Sequence, residues 1–542
     1  MTPRAHYPVV VVGGGPAGLT LANLLGVLGV SVLLVERNAS TVQEPRAVSI
    51  DDESLRTMQA AGLADEVLRS VVPGYGSHYH GPRGIRFARV EPAGRPYGYP
   101  RRNAFRQPVL EAQLRAGLDR FEHVDTLFGW QLRRYDAGTD EVALELHGPD
   151  DVAHSVTCGI LVGCDGASSF VRDQLGIRLE GTTFDERWLI VDLENNKNTV
   201  EHTTVFCDVR RPCITLPGPD CTRRFEFKLH PGETDAALLD PAVVGELLRT
   251  HGADPDASIK RKVVYRFHAR VAPRWRAGRV LLAGDAAHLT PPFAGQGMNS
   301  GIRDVFNLAW KLAAVEAGRL GPALLDSYET ERKDHVWQMV QLALRMGRIM
   351  SPRSWLRGFV TQAAFLSLNL WPPARDYVTQ MKYKPPPRFT SGFLLPDGRG
   401  RASLVGRLLP QPRVRTADGL EVLLDEVLGL RFVLLARGAD AVAALGKLRG
   451  AVWDELGALR VAVLPPGAAA TAPGMEAVTE TDGALAGAME PYKNCVLLLR
   501  PDHYVAAAVD LARPEQVEEA VATLVQGTWW AGAPARAALE AA

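Results

Sequence analysis

Apolar residues are spaced along this chain in runs that change period several times. Residues 9–12 are a short β-branched run, the pattern of a buried strand. Glycine-rich sequence follows at once. Residues 19–28 are apolar with helical character, and Gly29 is placed to end that helix. Residues 31–35 form a second buried run that closes at Glu36, so the opening of the chain reads as a strand–helix–strand unit. From 128 to 162 the pattern alternates like an antiparallel meander, with Val142, Leu144 and Leu146 on one face. Residues 184–229 are also strand-rich and predict a separate sheet. A buried strand returns at 279–283, after which Ile302, Val305, Leu308, Ala309 and Leu312 fall on one face of a helix.

Pro385, Pro386 and Pro387 begin a Pro- and Gly-rich stretch, read as a linker over the surface up to about Arg415. Beyond it come apolar strands at 432–435, 461–464, 496–499 and 504–509, a helix at 441–448 with Asp440 placed to cap it, and a helix from Pro514. A chain of 542 residues is too long for one core. The expected fold is α/β with a mixed α+β character: a Rossmann-like dinucleotide domain, an inserted β-sheet domain and a small C-terminal α/β domain. The expected boundaries are 1–180 and 273–385 for the two parts of the first domain, 181–272 for the inserted sheet, 386–415 for the linker and 416–542 for the last domain. Residues 73–101 are expected near the inserted sheet's site.

Charge changes this picture little. Lys plus Arg and Asp plus Glu are both 61, which gives no reason to expect nucleic acid or an anionic membrane as partner. No run of about 18 apolar residues is present, so no membrane span is expected. The six cysteines form no C-x-x-C pair and no zinc-site spacing, so no metal is expected. Free thiols suit a reducing cytoplasm.

The chemistry is carried by three turns. Gly13-Gly14-Gly15-Pro16-Ala17-Gly18 fits G-x-G-x-x-G between a strand and a helix, the context that fingerprint requires. Gly13 permits the tight turn, Gly15 lets backbone approach a pyrophosphate, and Gly18 lets helix and strand pack closely. The helix start at Pro16 and Ala17 offers free N–H groups to phosphates. Glu36, next to Arg37, lies where a carboxylate accepts from ribose hydroxyls. Leu282-Ala283-Gly284-Asp285 places an acid directly after a buried strand, where it suits a ribitol hydroxyl, a group FAD has and NAD lacks. Pro291-Pro292-Phe293-Ala294-Gly295-Gln296-Gly297-Met298-Asn299 then leads into a helix whose N-terminus favours negative charge on a reduced flavin. The third turn is Cys164-Asp165-Gly166 with Ser169 and Arg172.

Together, and in this order, the three turns resemble the signatures of the class A flavoprotein aromatic hydroxylases over about residues 8–385. Arg46 and Gln107 resemble that family's further FAD contacts. The stretches Ile50-Asp51-Asp52-Glu53, Pro100-Arg101-Arg102-Asn103, Arg223-Arg224-Phe225-Glu226-Phe227, Leu325-Asp326-Ser327-Tyr328-Glu329 and Arg500-Pro501-Asp502-His503-Tyr504 resemble the 3-(3-hydroxyphenyl)propionate hydroxylase subgroup, over nearly the whole chain. The resemblance implies FAD as cofactor, NADH or NADPH as co-substrate without a second Rossmann unit, O2, a small phenolic substrate and a thioredoxin-like C-terminal domain. With Cys495 as its one cysteine, that domain has no dithiol chemistry and is left with packing or contacts in a homo-oligomer. A hydroxylase of a polyketide or other polycyclic phenol shares every motif, and a flavin-binding protein without turnover is the remaining alternative.

The resemblance also implies that the flavin carries the oxygen chemistry, so no side chain is assigned to catalysis; Pro292 and Phe293 are expected to face the ring, and Asp165 to lie near FAD and the nicotinamide path. Arg211 and Arg224 are candidates for a substrate carboxylate, because an arginine fork suits one. No general base is nominated. His78, Tyr79 and His80 are expected in a surface loop, His288 is expected to be structural, and Glu53 with Arg56 is expected to form a solvated pair on a helix.

Overall fold

The computed structural model describes residues 3–468 and 472–527. Strand His6–Val12, helix Pro16–Val27 and strand Val32–Glu36 form the opening unit, and Gly29 ends the helix with a positive φ. Five strands run parallel, in the order Val280–Leu282, Ala153–Gly163, His6–Val12, Val32–Glu36, Val124–Phe128. The second of these also closes the antiparallel meander with Gln131–Ala137 and Val142–His147. Val142, Leu144 and Leu146 point into the core, and their alternate neighbours point out. The helix carrying Ile302 to Leu312 spans Gly297–Glu316 and packs on Pro16–Val27, where Gly301, Gly284 and Ala17 let the backbones approach closely.

A second eight-stranded sheet takes the order His288–Leu289, Ser258–Val271, Glu180–Glu194, Arg223–Lys228, Cys213–Pro217, Thr203–Phe206, Ser77–His80, Arg86–Val90. His78, Tyr79 and His80 therefore belong to a strand and not to a loop. Tyr79 is buried, and His78 pairs with Glu91 at 2.6 Å. The period-2 alternation of this short stretch was masked by its three ring-bearing residues.

A third sheet, built from Arg413–Arg415 onward, has a parallel core of Met475–Glu480, Leu459–Leu464 and Val433–Arg437, flanked by antiparallel Cys495–Leu499 and Val505–Asp510. This is the thioredoxin-like arrangement. Asp440 stands at the start of helix Ala441–Gly446, but its side chain makes no capping bond. Residues 528–542 of the expected C-terminal domain lie outside the described residues.

Two expectations fail because parts of the chain distant in sequence cover these stretches. The stretch 386–415 does not lie over the surface: Phe389, Phe393, Leu394, Val405 and Leu409 are all buried in core clusters. Glu53 and Arg56 do not form a solvated pair. Both are buried; Arg56 pairs with Asp425 (2.5 Å), and Glu53 pairs with Arg303 (2.8 Å) and Lys384 (2.9 Å).

Among the described residues no helix is long and apolar enough to cross a membrane. Helix Trp355–Leu368 turns Trp355, Leu356, Phe359 and Val360 outward.

Candidate active site

The three turns meet at one place because their strands are neighbours in the parallel sheet. The Cys164 N–H donates to Val12 O (2.7 Å), the Ala283 N–H to Gly163 O (2.9 Å), and the Gly13 N–H to Val35 O (2.8 Å). Arg172 then ties two turns together, donating to Ala167 O (3.0 Å) and Ala286 O (3.2 Å). Ligands of open α/β sheets bind at the carboxyl ends of strands, and the turns lie there.

Each glycine of the first turn has a distinct reason. Gly13 has φ +110°, and a Cβ there would stand 2.4 Å from Cys164 O. At Gly18 a Cβ would stand 1.9 Å from Gly13 O, so this glycine serves helix–strand packing and does not line the cavity. At Gly15 a Cβ would meet nothing within 4 Å. The protein leaves that space open, and it is the edge of a cleft.

The cleft has two connected lobes that share Gly15, Arg46 and Gly166 as walls. The narrower, about 180 Å³, is lined by Gly13, Glu36, Arg37 and Asp165. Glu36 accepts from the Gly14 N–H (2.6 Å) and from Asn38 N (2.8 Å) and Nδ2 (2.6 Å). A carboxylate has about four acceptor positions, so one remains for a ribose hydroxyl. The wider lobe, about 460 Å³, takes in Pro16, Ala17, Gln107, Gly284, Asp285, Gly295, Gly297 and Met298, then continues between the two sheets. Asp285 faces this lobe. Burial pushes its carboxyl above the ordinary range, opposed by His288 and Arg46. The turn is held from behind by Asp304, which accepts from the Gly284 N–H (3.2 Å) and pairs with His288 (2.6 Å) and Arg332 (2.9 Å). His288 is thus structural, as expected.

An elongated dinucleotide with a ring system fits this donor set: open backbone at Gly15, a helix N-terminus at Gly297, an acid for polyol hydroxyls at Asp285, and a second acid at Glu36.

Other expected contacts act indirectly. Gln107 lines the cavity, but its Oε1 accepts from the Ala47 N–H (2.6 Å) and its Nε2 donates to Glu111 (2.7 Å), so it holds the loop that presents Arg46. Asn299 does not line the cavity. Its side chain accepts from Ser54 Oγ (2.7 Å) and Asp51 N (3.1 Å) and donates to Ser49 O and Gly295 O, which clamps the loop before its helix. Asp165 accepts from Ser169 Oγ (2.5 Å) and the Val171 N–H (3.0 Å), so its carboxylate is committed to helix Phe170–Gln174.

In the wider lobe the walls are apolar, with Ile190, Ile214, Leu216, Phe267, Phe293 and Met350 among them. Pro292 and Phe293 both line it. Phe293 meets Trp188 and Phe267 edge-on, with centroids 5.4 and 5.6 Å away. Neither arginine nominated for a carboxylate is free to bind one. Arg211 does not line the cavity; it donates two bonds to Glu233 (2.6 and 2.9 Å) and one to Lys228 O. Arg224 does line it, yet its fork is spent on Asp192 (2.7 Å), Arg46 O (2.7 Å) and Pro45 O. The cation that pattern reading missed is Arg102. It lines the cavity, donates to Ser77 Oγ (2.5 Å) and Tyr75 OH (3.3 Å), and stacks over the Tyr75 ring. Among the described residues no carboxylate lies within ion-pair reach of it. The pair Arg101-Arg102 was visible in the sequence; that one of the two points inward was not.

A cleft of this shape, reading a dinucleotide at one end and opening into an apolar chamber between two sheets, defines a flavin-dependent monooxygenase. The chain matches a family model described as FAD binding domain over residues 6–343, and another described as HcaD C-terminal domain over 406–526; it belongs to the FAD-binding family of flavoprotein aromatic monooxygenases. A 3-(3-hydroxy-phenyl)propionate/3-hydroxycinnamic acid hydroxylase of Klebsiella pneumoniae subsp. pneumoniae is 40% identical over 523 residues, which is 96% of this chain and 94% of that one. An Escherichia coli protein of the same name is 38% identical over 92% of this chain and 91% of its own. Among solved structures, the flavin-dependent monooxygenase PieE, in complex with FAD and substrate, is similar with a TM-score of 0.81 and 25% identity, over 97% of this chain and all of that one. Aklavinone-11 hydroxylase with FAD and aklavinone gives 0.74 and 26%, over 97% of this chain and all of that one.

Proposed function

We propose that this protein hydroxylates the ring of a small phenol bearing a carboxylate, most simply 3-(3-hydroxyphenyl)propionate to its 2,3-dihydroxy product, with NAD(P)H and O2 as co-substrates. The observation that carries the reading is Arg102, a cavity-lining guanidinium with hydroxyl partners only, at one end of an apolar chamber. An arginine so placed suits a carboxylate, and the aryl part of such a molecule suits walls of Ile, Leu, Met and Phe. The names of the curated relatives support the same substrate class. Bound FAD supplies reduction by NAD(P)H and activation of O2.

What the chain itself does is bind, orient and exclude water. Gly15 and the helix start at Gly297 present N–H groups to anionic parts of the cofactor, Asp285 and Glu36 accept from its hydroxyls, and Arg46 faces its phosphates. Phe293, wedged between Trp188 and Phe267, keeps the chamber dry. A cytoplasmic location goes with this reading. A homo-oligomer does too, and the outward apolar side of helix Trp355–Leu368 supports it.

The test is NAD(P)H consumption by the FAD-loaded protein with 3-(3-hydroxyphenyl)propionate, with the product identified to exclude uncoupled peroxide formation. A polycyclic phenol lacking a carboxylate serves as the competing substrate. The expected result is stoichiometric dihydroxy product from the first and little response to the second; the reverse order sinks the reading.

A further inference from the structure

Apart from Asp285, already given to the cofactor, one acid of the chamber wall accepts no hydrogen bond among the described residues, and its meaning rests on the phenol reading above. Glu226 sits in strand Arg223–Lys228, with Ile190 and Ile214 as its cross-strand neighbours, and all three line the cavity. Its side chain is 8% exposed, and its nearest cation is Arg224 at 3.8 Å, whose fork already serves Asp192 and two backbone carbonyls. Among the described residues no group donates a hydrogen bond to it. Buried carboxylates are ordinarily satisfied, so one left open toward a chamber offers acceptor positions that only a ligand fills.

The same row of the sheet fixes direction. Ile214 pairs with Val205, and Val205 with Tyr79, which puts the strand holding Ser77, the partner of Arg102, three strands from Glu226. Three strand spacings are roughly 14 Å. One end of the chamber therefore offers a guanidinium without a carboxylate partner, and the other an acceptor without a donor. A carboxylate tail is drawn to the Arg102 end, which leaves the phenol O–H facing the acid.

We infer that Glu226 accepts the hydrogen bond of the substrate phenol and takes its proton while the ring is being oxygenated. As a ring carbon gains its new C–O bond, the phenol O–H bond breaks, its electron pair moves toward the ring as C=O, and the proton goes to a carboxylate oxygen of Glu226. The O–O bond breaks as that C–O bond forms; when the oxygenated carbon then loses its own proton, that proton goes to the second oxygen, which leaves as water, and Glu226 gives its proton back to the original phenol oxygen as aromaticity returns. The overall balance is phenol plus O2, NAD(P)H and a proton to the dihydroxy product, NAD(P)+ and water.

The charged and titratable groups around Glu226 are Arg224 and Lys228 on its own strand, Asp192 and Cys213 on the strands either side, and Arg261, Tyr265, Arg266 and His268 on the next. Burial, reinforced by Asp192 and opposed by Arg224, holds its carboxyl up at about 7. A base in that range is matched to neutral pH.

The test uses the full-length FAD-loaded enzyme and two readouts. The first is kcat/KM against pH with 3-(3-hydroxyphenyl)propionate. The second is binding without turnover, read from the absorbance of the oxidised flavin, of that phenol and of 3-phenylpropionate, which lacks the hydroxyl. Wild type should show an acid limb near neutral pH and bind the phenol about 10-fold more tightly than its deoxy analogue, the worth of one good hydrogen bond. Glu226→Gln should keep phenol affinity, lose the acid limb, and fall roughly 10²- to 10⁴-fold in kcat. Glu226→Asp should restore the limb at reduced rate. Glu226→Leu should bind both ligands equally, with 3-phenylpropionate unchanged, which also reports intact folding. An active wild type whose Glu226→Gln variant keeps both kcat and the acid limb overturns this assignment alone. A wild type that hydroxylates no phenol overturns the reading of the chamber, and the assignment with it.

Discussion

Gly13 and Gly15 stand two residues apart and tolerate change for opposite reasons. Gly13→Ala forces a Cβ against Cys164 O at a positive φ, so the apo-protein should lose stability, seen as a lower melting temperature. Gly15→Ala meets no protein atom; its apo-protein should melt like wild type yet hold much less flavin, read as the ratio of flavin to protein absorbance. Asp285→Ala should likewise lose FAD affinity by roughly 10- to 100-fold, the value of a charged hydrogen bond, and a variant with full flavin occupancy contradicts the role given to that carboxylate. Arg102→Ala should raise KM for a phenol with a carboxylate tail by a similar factor while leaving a neutral phenol little affected; Lys should not substitute, because it lacks the planar fork. Glu226 has a stability signature as well. Its carboxyl is raised from 4.5 to about 7 in the fold, so the folded state holds the proton more tightly and stability declines as pH rises through that interval. Glu226→Gln should therefore melt higher than wild type above about pH 7. Glycines and acids with backbone jobs were legible in the sequence because spacing alone defines them. The arginines were not: Arg102, Arg211 and Arg224 are alike in pattern, and only their partners separate them.

At the scale of elements, the opening unit and the helix bearing Ile302 were readable because their periods are long and unbroken. Reading failed where an element's character depends on what covers it. The stretch 386–415 has the glycines and prolines of a linker, yet Phe389, Phe393 and Leu409 hold it in the core. Helix Asp52–Ala60 has the charge pattern of a solvated surface, and it is buried because cations from distant parts of the chain meet its acids: Arg303 and Lys384 hold Glu53 down at about 2. The clamp of Asp304, His288 and Arg332 behind the Gly284-Asp285 turn spans three elements, and no local spacing announces it.

For the whole molecule, buried ion pairs cross from the C-terminal part to the flavin part. Arg56 meets Asp425, and Arg500 meets Glu331 at 2.7 Å. Removing one partner strands the other charge in the interior, so Asp425→Ala should cost about 3–5 kcal/mol, measured by chemical denaturation. Glu331 is depressed from 4.5 to about 2 by Arg500 and Lys311, and Asp425 is lowered by Arg56 and His503. In both cases the unfolded chain binds protons more readily. Their stabilisation is complete above the unfolded values and is lost as pH falls below about 4.5 toward 2, so the melting temperature should drop over that range. The arrangement of three sheets was foreseeable from sequence; the charged pairs that help join them were not, since the partners lie 369 and 169 residues apart.

The threading of 386–415 through the interior has a further consequence for exchange between relatives. A chimera that grafts a foreign C-terminal sheet from residue 416 onward inherits a seam fitted to other side chains, with Arg56 and Glu331 left facing whatever the donor offers. Grafts of that kind should misassemble unless the seam residues on both sides travel together, so this appendage behaves as an organ of the enzyme and not as a detachable module.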